Sequence, residues 1–234
     1  MLAVLIDEEV AIPLLFFELD KDGSLNTEER INLIKLLLEV VKKEQIEDIR
    51  ADREFVGDDW LDYLQENGIN FTIRMKSEHH FGRAQCKEFS EGIHKRIDCC
   101  GKMSWLCVKK NWFILTNHSP EKAIERYKGR WKIENLFGFL KSRGFNLEDT
   151  HLKDSQKLCT LLDLLSLVAI WCYEVGKEQN KQKPIKIKKH GRRAKSIFRL
   201  GLDFLSNALA NLDSLFESFL SCLNIFFSNL RSCT

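Results

Sequence analysis

The chain has 234 residues, which is enough for one domain of ordinary size with an extension. Its 44% hydrophobic and 30% charged residues exclude a disordered tail, and its three prolines and twelve glycines exclude a collagen-like chain. The net charge of +2 hides a segregation: residues 1–70 hold eighteen acids against seven bases, whereas residues 177–199 hold ten bases against one acid.

Eight cysteines without a CxxC pair predict reduced thiols in a cytoplasmic chain. Histidines and cysteines crowd residues 79–107 and leave a zinc site as an alternative, although their spacings fit no common zinc pattern. The longest apolar run, Leu158 to Tyr173, contains Asp163 and falls short of the ~20 residues that cross a bilayer. We therefore expect a buried helix there and no membrane partner.

The first half of the chain alternates predicted strands and helices. Residues 1–17 predict two strands joined by an acidic turn, and Pro13 places the second strand at a sheet edge. Asn26 and Glu29 form a capping box, which predicts a helix of about twenty residues after it. Residues 46–55 then predict a short strand with Asp52 near its end. A helix over 58–67 and a strand over 69–75 with one solvated face follow.

Residues 77–118 predict a less regular insert that ends in a strand over 112–116. Ser119, Pro120 and Glu121 then predict the start of a helix that runs to about residue 144. At about 100° per residue, four polar side chains of this helix fall within a wedge of about 60°. They are Tyr127, Arg130, Glu134 and Lys141.

This polar face has two interpretations. A solvated helix face with an Arg–Glu pair at spacing four is the simpler one. The other is a magnesium site, because Asp52 and Glu134 come from different elements and Mg²⁺ prefers hard oxygen ligands. Bases beside such a pair would suit a phosphate backbone.

The spacing Tyr127-x2-Arg130-x3-Glu134-x6-Lys141 resembles the Tyr-Arg-Glu-Lys signature of the insertion-sequence-four family of bacterial DDE transposases. Residues 51–55 (ADREF) look like the segment that bears that family's second catalytic Asp, and residues 190–203 look like its usual C-terminal region. The resemblance covers essentially the whole chain. It implies an α/β fold: a ribonuclease-H-like mixed sheet with flanking helices, followed by a helical C-terminal extension.

On this resemblance, residues 1–175 would form the catalytic core, 176–199 a basic DNA-contacting linker and 200–234 a helical region. Two Mg²⁺ ions, for which Mn²⁺ can substitute, would drive cleavage and strand transfer at transposon ends. Asp52 would be the second Asp and Glu134 the metal-binding Glu, while Tyr127, Arg130 and Lys141 would hold DNA phosphates. The implied partner is double-stranded DNA, at the nucleoid of the bacterial cytoplasm.

The main departure from this family is at the N-terminus. Its first catalytic Asp lies upstream of the hairpin that residues 1–17 resemble, so we expect the chain to begin after it and to lack the first core strand. Asp7 is the early substitute, but it sits in the predicted turn. We therefore expect an inactive transposase fragment, with a non-catalytic DNA-binding protein as the alternative.

The basic stretch is a second candidate DNA contact. Lys188, Lys189, Arg192 and Arg193 cluster around Gly191, and an arm of this charge would bind DNA in a salt-dependent way. A flexible solvated linker is the alternative. The apolar helical pattern of residues 197–227 would pack either on the core or on a second copy in a homodimer.

Overall fold

The computed structural model describes residues 2–6, 10–15, 25–97, 101–143, 145–152 and 154–231, which form a mixed α/β chain. The chain divides into two compact units: one contains residues 17–134, and the other contains residues 3–16 together with 135–234. The strands are β1 (Leu2–Ile6), β2 (Val10–Leu15), β3 (Ile49–Ala51), β4 (Phe71–Arg74), β5 (His80–Phe81), β6 (Ala84–Gln85), β7 (Gly92–Ile97), β8 (Met103–Lys109) and β9 (Trp112–Thr116). The α-helices are α1 (Thr27–Val40), α2 (Asp58–Glu66), α3 (Ala123–Gly129), α4 (Trp131–Gly138), α5 (Ser155–Gln182), α6 (Ile197–Ala210) and α7 (Leu212–Arg231).

A five-stranded mixed sheet organises the unit of residues 17–134, in the order β3-β4-β9-β8-β7. β3 runs parallel to β4, and the remaining neighbours are antiparallel. In the register of the sheet, Ile73 lies opposite Ala51 on one side and Leu115 on the other. The last residue of β3 therefore lies beside the buried centre of the sheet. Asp52, the next residue, is positioned by this pairing at the end of the strand.

The predicted helices and strands of the first half are found with adjusted bounds. The capping box of Asn26 and Glu29 is confirmed, and α1 ends at Val40 because Val41 adopts an extended conformation. α2 matches its prediction. The expected strand over 46–55 shortens to the three residues of β3. The solvated face expected for β4 is wrong: Thr72 is fully buried, because Arg126 of α3 lies against that face of the sheet.

The region 77–118 is more regular than the sequence indicated. β5 and β6 form a small hairpin, and β7, β8 and β9 form an antiparallel meander that belongs to the main sheet. The exposed residues of β7 hid its strand pattern, since an edge strand has no buried face to produce a clean alternation.

The predicted helix over 119–144 is helical but divided. It starts as a 3₁₀ turn, Pro120–Lys122, continues as α3 and α4, and ends as a π-helical turn, Phe139–Arg143. Arg130 is the residue between α3 and α4, where Arg130 N–H donates to the Tyr127 carbonyl and Ile133 N–H donates to the Arg130 carbonyl. A π turn winds less tightly than an α-helix, so the regular spacing that put Lys141 on the polar face does not hold there.

In the other unit, β1 and β2 form a two-stranded sheet, and α5, α6 and α7 pack together. α5 and α6 approach so closely that a Cβ on Gly176 would meet the Ile197 carbonyl, and one on Gly201 would meet the Cys172 carbonyl. Cys172, Val175, Phe198, Leu205 and Cys222 form the core of this unit. Glycine therefore sets the distance between these two helices.

α5 differs from its expectation in length and burial. It has 28 residues, and its most apolar stretch has a mean hydropathy of 1.8. That length and hydropathy are by themselves compatible with a membrane span. Only 22% of the apolar stretch is buried. The expected linker start at residue 176 lies inside α5. The rest of the expected linker holds a short hairpin, closed by a bridge between Ile187 and Arg193.

Candidate functional site

Asp52 is the first residue after β3, and hydrogen bonds within the following turn hold its carboxylate in place. The N–H of Arg53 donates to Asp52 Oδ1 at 2.8 Å, and the Asp52 carbonyl accepts from Phe55 N–H at 2.8 Å in the following turn. Oδ1 is thereby committed to the local turn, and Oδ2 remains for partners from other elements.

Tyr127, on α3, contacts the same carboxylate from the other side. Its hydroxyl donates to Asp52 Oδ1 at 3.3 Å, and its ring packs edge-on against Trp112 with 5.8 Å between centroids. The side chain is only 4% exposed. Burial raises the pKa of Tyr127, with the Asp52 carboxylate adding to the effect against the opposing Arg130 guanidinium, so the phenol stays a protonated donor at neutral pH.

Arg130 joins the two acids. Its Nη2 donates to Glu134 Oε1 at 3.3 Å and lies 3.6 Å from Asp52 Oδ2. Because a single nitrogen contacts both oxygens, the distance between Asp52 Oδ2 and Glu134 Oε1 cannot exceed the sum of these two contact distances. The Arg130 side chain is 19% exposed, whereas those of Asp52 and Glu134 are 42% and 43% exposed. The cation is thus largely covered, and the carboxylates open to solvent.

The structure therefore brings together four of the residues selected from the sequence: Asp52, Tyr127, Arg130 and Glu134. The local Arg–Glu pair at spacing four exists, but the contact to Asp52 shows that this face is more than a solvated helix surface. Tyr127 contacts the Asp52 carboxylate and is buried, and its expected contact with a DNA phosphate stays a prediction. Lys141 lies exposed in the π-helical turn, in the other unit of the chain.

The donor chemistry of this pair fits one divalent cation. Mg²⁺ commonly binds through one or two carboxylates, with water and substrate phosphate at its other positions. Over the described ranges, no group of three His, Cys, Asp or Glu side chains is placed to hold a metal ion. Asp52 and Glu134 are the two metal ligands expected from the sequence, and Asp7, the early substitute for a third, lies outside the described residues.

The basic residues around Gly191 form an ordered hairpin, which we call the basic hairpin (residues 186–194). Lys188 N–H donates to the Arg192 carbonyl and Gly191 N–H donates to the Lys188 carbonyl, both at 2.8 Å, and Gly191 has a φ of 80° that suits glycine. Every side chain of this hairpin is exposed, including Lys188, Lys189, Arg192 and Arg193.

Sequence reasoning missed a buried polar cluster beneath the site. Arg126, the neighbour of Tyr127, sends its side chain into the sheet, where Nη2 donates to the His118 carbonyl at 2.8 Å and Nε lies 3.6 Å from Asp48 Oδ2. Its Nη2 and Nε also reach the Thr116 and Thr72 hydroxyls, each at 3.4 Å. The signal that could have found it is Asp48, a charge at the start of a strand that is otherwise buried.

A family model described as a transposase DDE domain matches residues 13–171, which is well over half of the chain. This range includes Asp52, Tyr127, Arg130, Glu134 and Lys141, and it ends before the basic hairpin. A comparison with curated proteins finds no match.

Proposed function

Because the chain belongs to the family of transposase DDE domains, we propose that it acts on double-stranded DNA during transposition, with Asp52 and Glu134 as its metal-binding carboxylates. The observation that supports this most is the contact of Arg130 Nη2 with both acids. These two carboxylates come from separate elements and meet at one guanidinium nitrogen, and rotation of their exposed side chains would bring them to the ~2.1 Å at which both would bind one Mg²⁺ ion. Families of this kind generally use divalent metal ions.

Asp52 Oδ2 and the Glu134 carboxylate would hold a Mg²⁺ or Mn²⁺ ion. Such an ion stabilises the negative charge that develops on a phosphodiester under attack. Arg53 and Tyr127 orient Asp52 by occupying Oδ1, which leaves Oδ2 directed at the cation position. These are positioning contacts made by the chain itself, and they precede any binding of DNA.

DNA phosphates would be held by cationic side chains. Arg130 and Lys141 are the contacts nearest in sequence to the carboxylates, and the basic hairpin adds four exposed bases. In the part of the chain that the structure describes, no carboxylate pairs with Lys188, Lys189 or Arg192. These charges are therefore available to a polyanion, and such binding weakens steeply with salt.

We further propose that the described residues bind DNA and one divalent cation but do not cleave DNA by themselves. DNA cleavage by the two-ion mechanism needs enough carboxylates to hold both metal ions. A single pair of carboxylates is enough for one ion but leaves a second ion poorly held. The second ion would require an acid from outside the described ranges. A non-catalytic DNA-binding protein remains the second candidate, favoured by the exposed basic hairpin.

Titration of Mn²⁺ into the purified chain separates these functions. We expect binding of a Mn²⁺ ion that weakens at least about tenfold in Glu134→Gln and in Asp52→Asn, because each variant removes one of two charged ligands. Lys128→Gln is the control, because Lys128 is an exposed residue of α3 that pairs with Glu125. Mn²⁺ affinity that is unchanged in both acid variants, together with salt-sensitive DNA binding, would support the non-catalytic protein instead.

A further inference from the structure

We propose that Arg130 is a placeholder cation: it neutralises Asp52 and Glu134 while the divalent ion is absent, and it is released to a DNA phosphate when that ion binds. This inference rests on the proposed function of the carboxylate pair. It adds that cation binding and DNA binding are coupled through one side chain of this chain.

The first observation is which oxygens Arg130 uses. Asp52 Oδ1 already accepts from Arg53 N–H and from the Tyr127 hydroxyl, so Oδ2 is the oxygen left for a cation. Arg130 Nη2 lies 3.6 Å from that Oδ2 and 3.3 Å from Glu134 Oε1. The guanidinium therefore occupies the side of the two carboxylates that a shared ion would need.

The second observation is electrostatic. Two carboxylates close together repel each other, and a positive charge between them relieves that repulsion. Arg130 supplies this charge from a side chain that is 19% exposed, next to acids that are more than 40% exposed. A divalent ion that reaches the two acids from solvent would place its charge beside Arg130, and the guanidinium would then face a like charge of twice its size.

The third observation is that Arg130 has freedom to change partners. It lies between α3 and α4, where 3₁₀-type hydrogen bonds replace the α-helical ones: Arg130 N–H donates to the Tyr127 carbonyl, and the Arg130 carbonyl accepts from Ile133 N–H. Its contacts in the site are one hydrogen bond, one looser ion pair and the face of the Tyr127 ring at 5.7 Å. None of these locks the guanidinium as a bidentate fork would, and a phosphate offers that fork.

Metal affinity without DNA is the first test. The experiment titrates Mn²⁺ into the full chain and into Arg130→Gln, with Lys128→Gln as a control that removes the same charge from an exposed neighbour. We expect Arg130→Gln to bind Mn²⁺ roughly tenfold more tightly, because a competing cation at the ligand oxygens is gone. Lys128→Gln should stay within about twofold, because the Lys128 charge is exposed to solvent, which screens it, and is paired with Glu125. Equal affinities in the two variants, or weaker binding by Arg130→Gln, would overturn the proposal.

DNA affinity in EDTA is the second test, and it needs no metal. The double variant Asp52→Asn/Glu134→Gln removes both acidic partners of Arg130, so binding of a 20-base-pair duplex should tighten, and the gain should shrink at least threefold in the Arg130→Gln background. A gain of the same size in both backgrounds would contradict the release of Arg130 to phosphate. Circular dichroism of each variant identifies any that fail to fold; Arg130→Lys, which keeps the charge, then replaces Arg130→Gln and should bind Mn²⁺ as the unaltered chain does.

The two proposals fail separately. If Glu134→Gln leaves Mn²⁺ binding unchanged, the carboxylate pair is not the metal site, and the proposed function fails. If Glu134→Gln abolishes binding while Arg130→Gln leaves it unaltered, the metal site stands and the placeholder role of Arg130 is wrong.

Discussion

Arg126 Nε lies 3.6 Å from Asp48 Oδ2, and both side chains are buried, at 9% and 1% exposed. Asp48 also accepts from Arg50 Nε through its other oxygen, at 2.8 Å. This buried ion pair anchors α3 to the start of β3. Since Asp52 follows β3 and Tyr127 follows Arg126 in the chain, the pair sets the positions of the elements that form the candidate site.

Replacing Arg126 by Met should destabilise the fold by roughly 3 kcal/mol, because it leaves Asp48 buried with one cationic partner fewer and removes the bonds to His118 and the threonines. Urea unfolding measures the effect. Lys128→Met is the matched control: this lysine is exposed and pairs with Glu125, which is exposed as well, so its loss should stay within about 0.5 kcal/mol. Equal losses of unfolding free energy in the two variants would show that the buried ion pair stabilises the fold no more than the exposed one does.

Stability should fall as the solution becomes acidic, through His118. Burial lowers the pKa of His118, and the Arg126 guanidinium lowers it further, against the opposing Asp48 and Glu47 carboxylates. A folded-state pKa below the unfolded value of about 6.5 means that the contribution is complete above about pH 6.5 and is lost as the pH falls through the folded value. Urea midpoints from about pH 7.5 down to about pH 5 should therefore decline less in His118→Gln than in the unaltered chain. Parallel declines would remove His118 as the cause.

The crossing of α5 and α6 depends on glycine. Gly201→Ala puts a methyl group against the Cys172 carbonyl, which α5 cannot move without shifting as a whole. We expect a loss of about 1–3 kcal/mol in the free energy of unfolding. Gly57→Ala is the control, since no atom lies within 4 Å of the Cβ it would add. A Gly201→Ala chain as stable as Gly57→Ala would contradict the close approach of the two helices.

The basic hairpin should contribute to DNA affinity through its charge. Changing Lys188, Lys189 and Arg192 to Gln should weaken binding of a DNA duplex and lower the slope of log K against log salt by about 2 to 3, one unit for each lost phosphate contact. The control replaces three exposed lysines of the acidic half, Lys35, Lys42 and Lys43, with the same change in net charge. An equal effect of both triple variants would assign the salt dependence to net charge alone.

Local signals in the sequence predicted the elements that hold the candidate site. The capping box before α1, the Ser-Pro-Glu start near residue 120 and the spacing of Tyr127, Arg130 and Glu134 all depend on neighbouring residues, and helical geometry carries them directly into space. The closeness of Asp52 and Glu134 was a longer-range hypothesis. It followed from the resemblance, and the contacts of Arg130 agree with it.

Features set by partners far along the chain were not predictable. Thr72 has the polarity of a solvated strand residue, but β9 brings Thr116 within 3.4 Å of it and Arg126 covers both. The strand over 112–116 was predicted and is β9. β7 and β8 escaped recognition, because β7 is mostly exposed and the buried residues of β8 are consecutive, so neither shows an alternation. The break at Arg130 likewise has no proline or glycine pair to announce it; Gly129 alone precedes it.

Binding of one divalent ion by both Asp52 and Glu134 is the property on which the proposed function and the role of Arg130 both depend. Crystals grown with Mn²⁺ and measured at its absorption edge test this directly, because anomalous scattering locates the ion without reference to the protein atoms. We predict a peak at coordination distance from Asp52 Oδ2 and the Glu134 carboxylate, with the Arg130 guanidinium turned away from Oδ2. Anomalous density elsewhere, with Arg130 still between the two acids, would contradict the account.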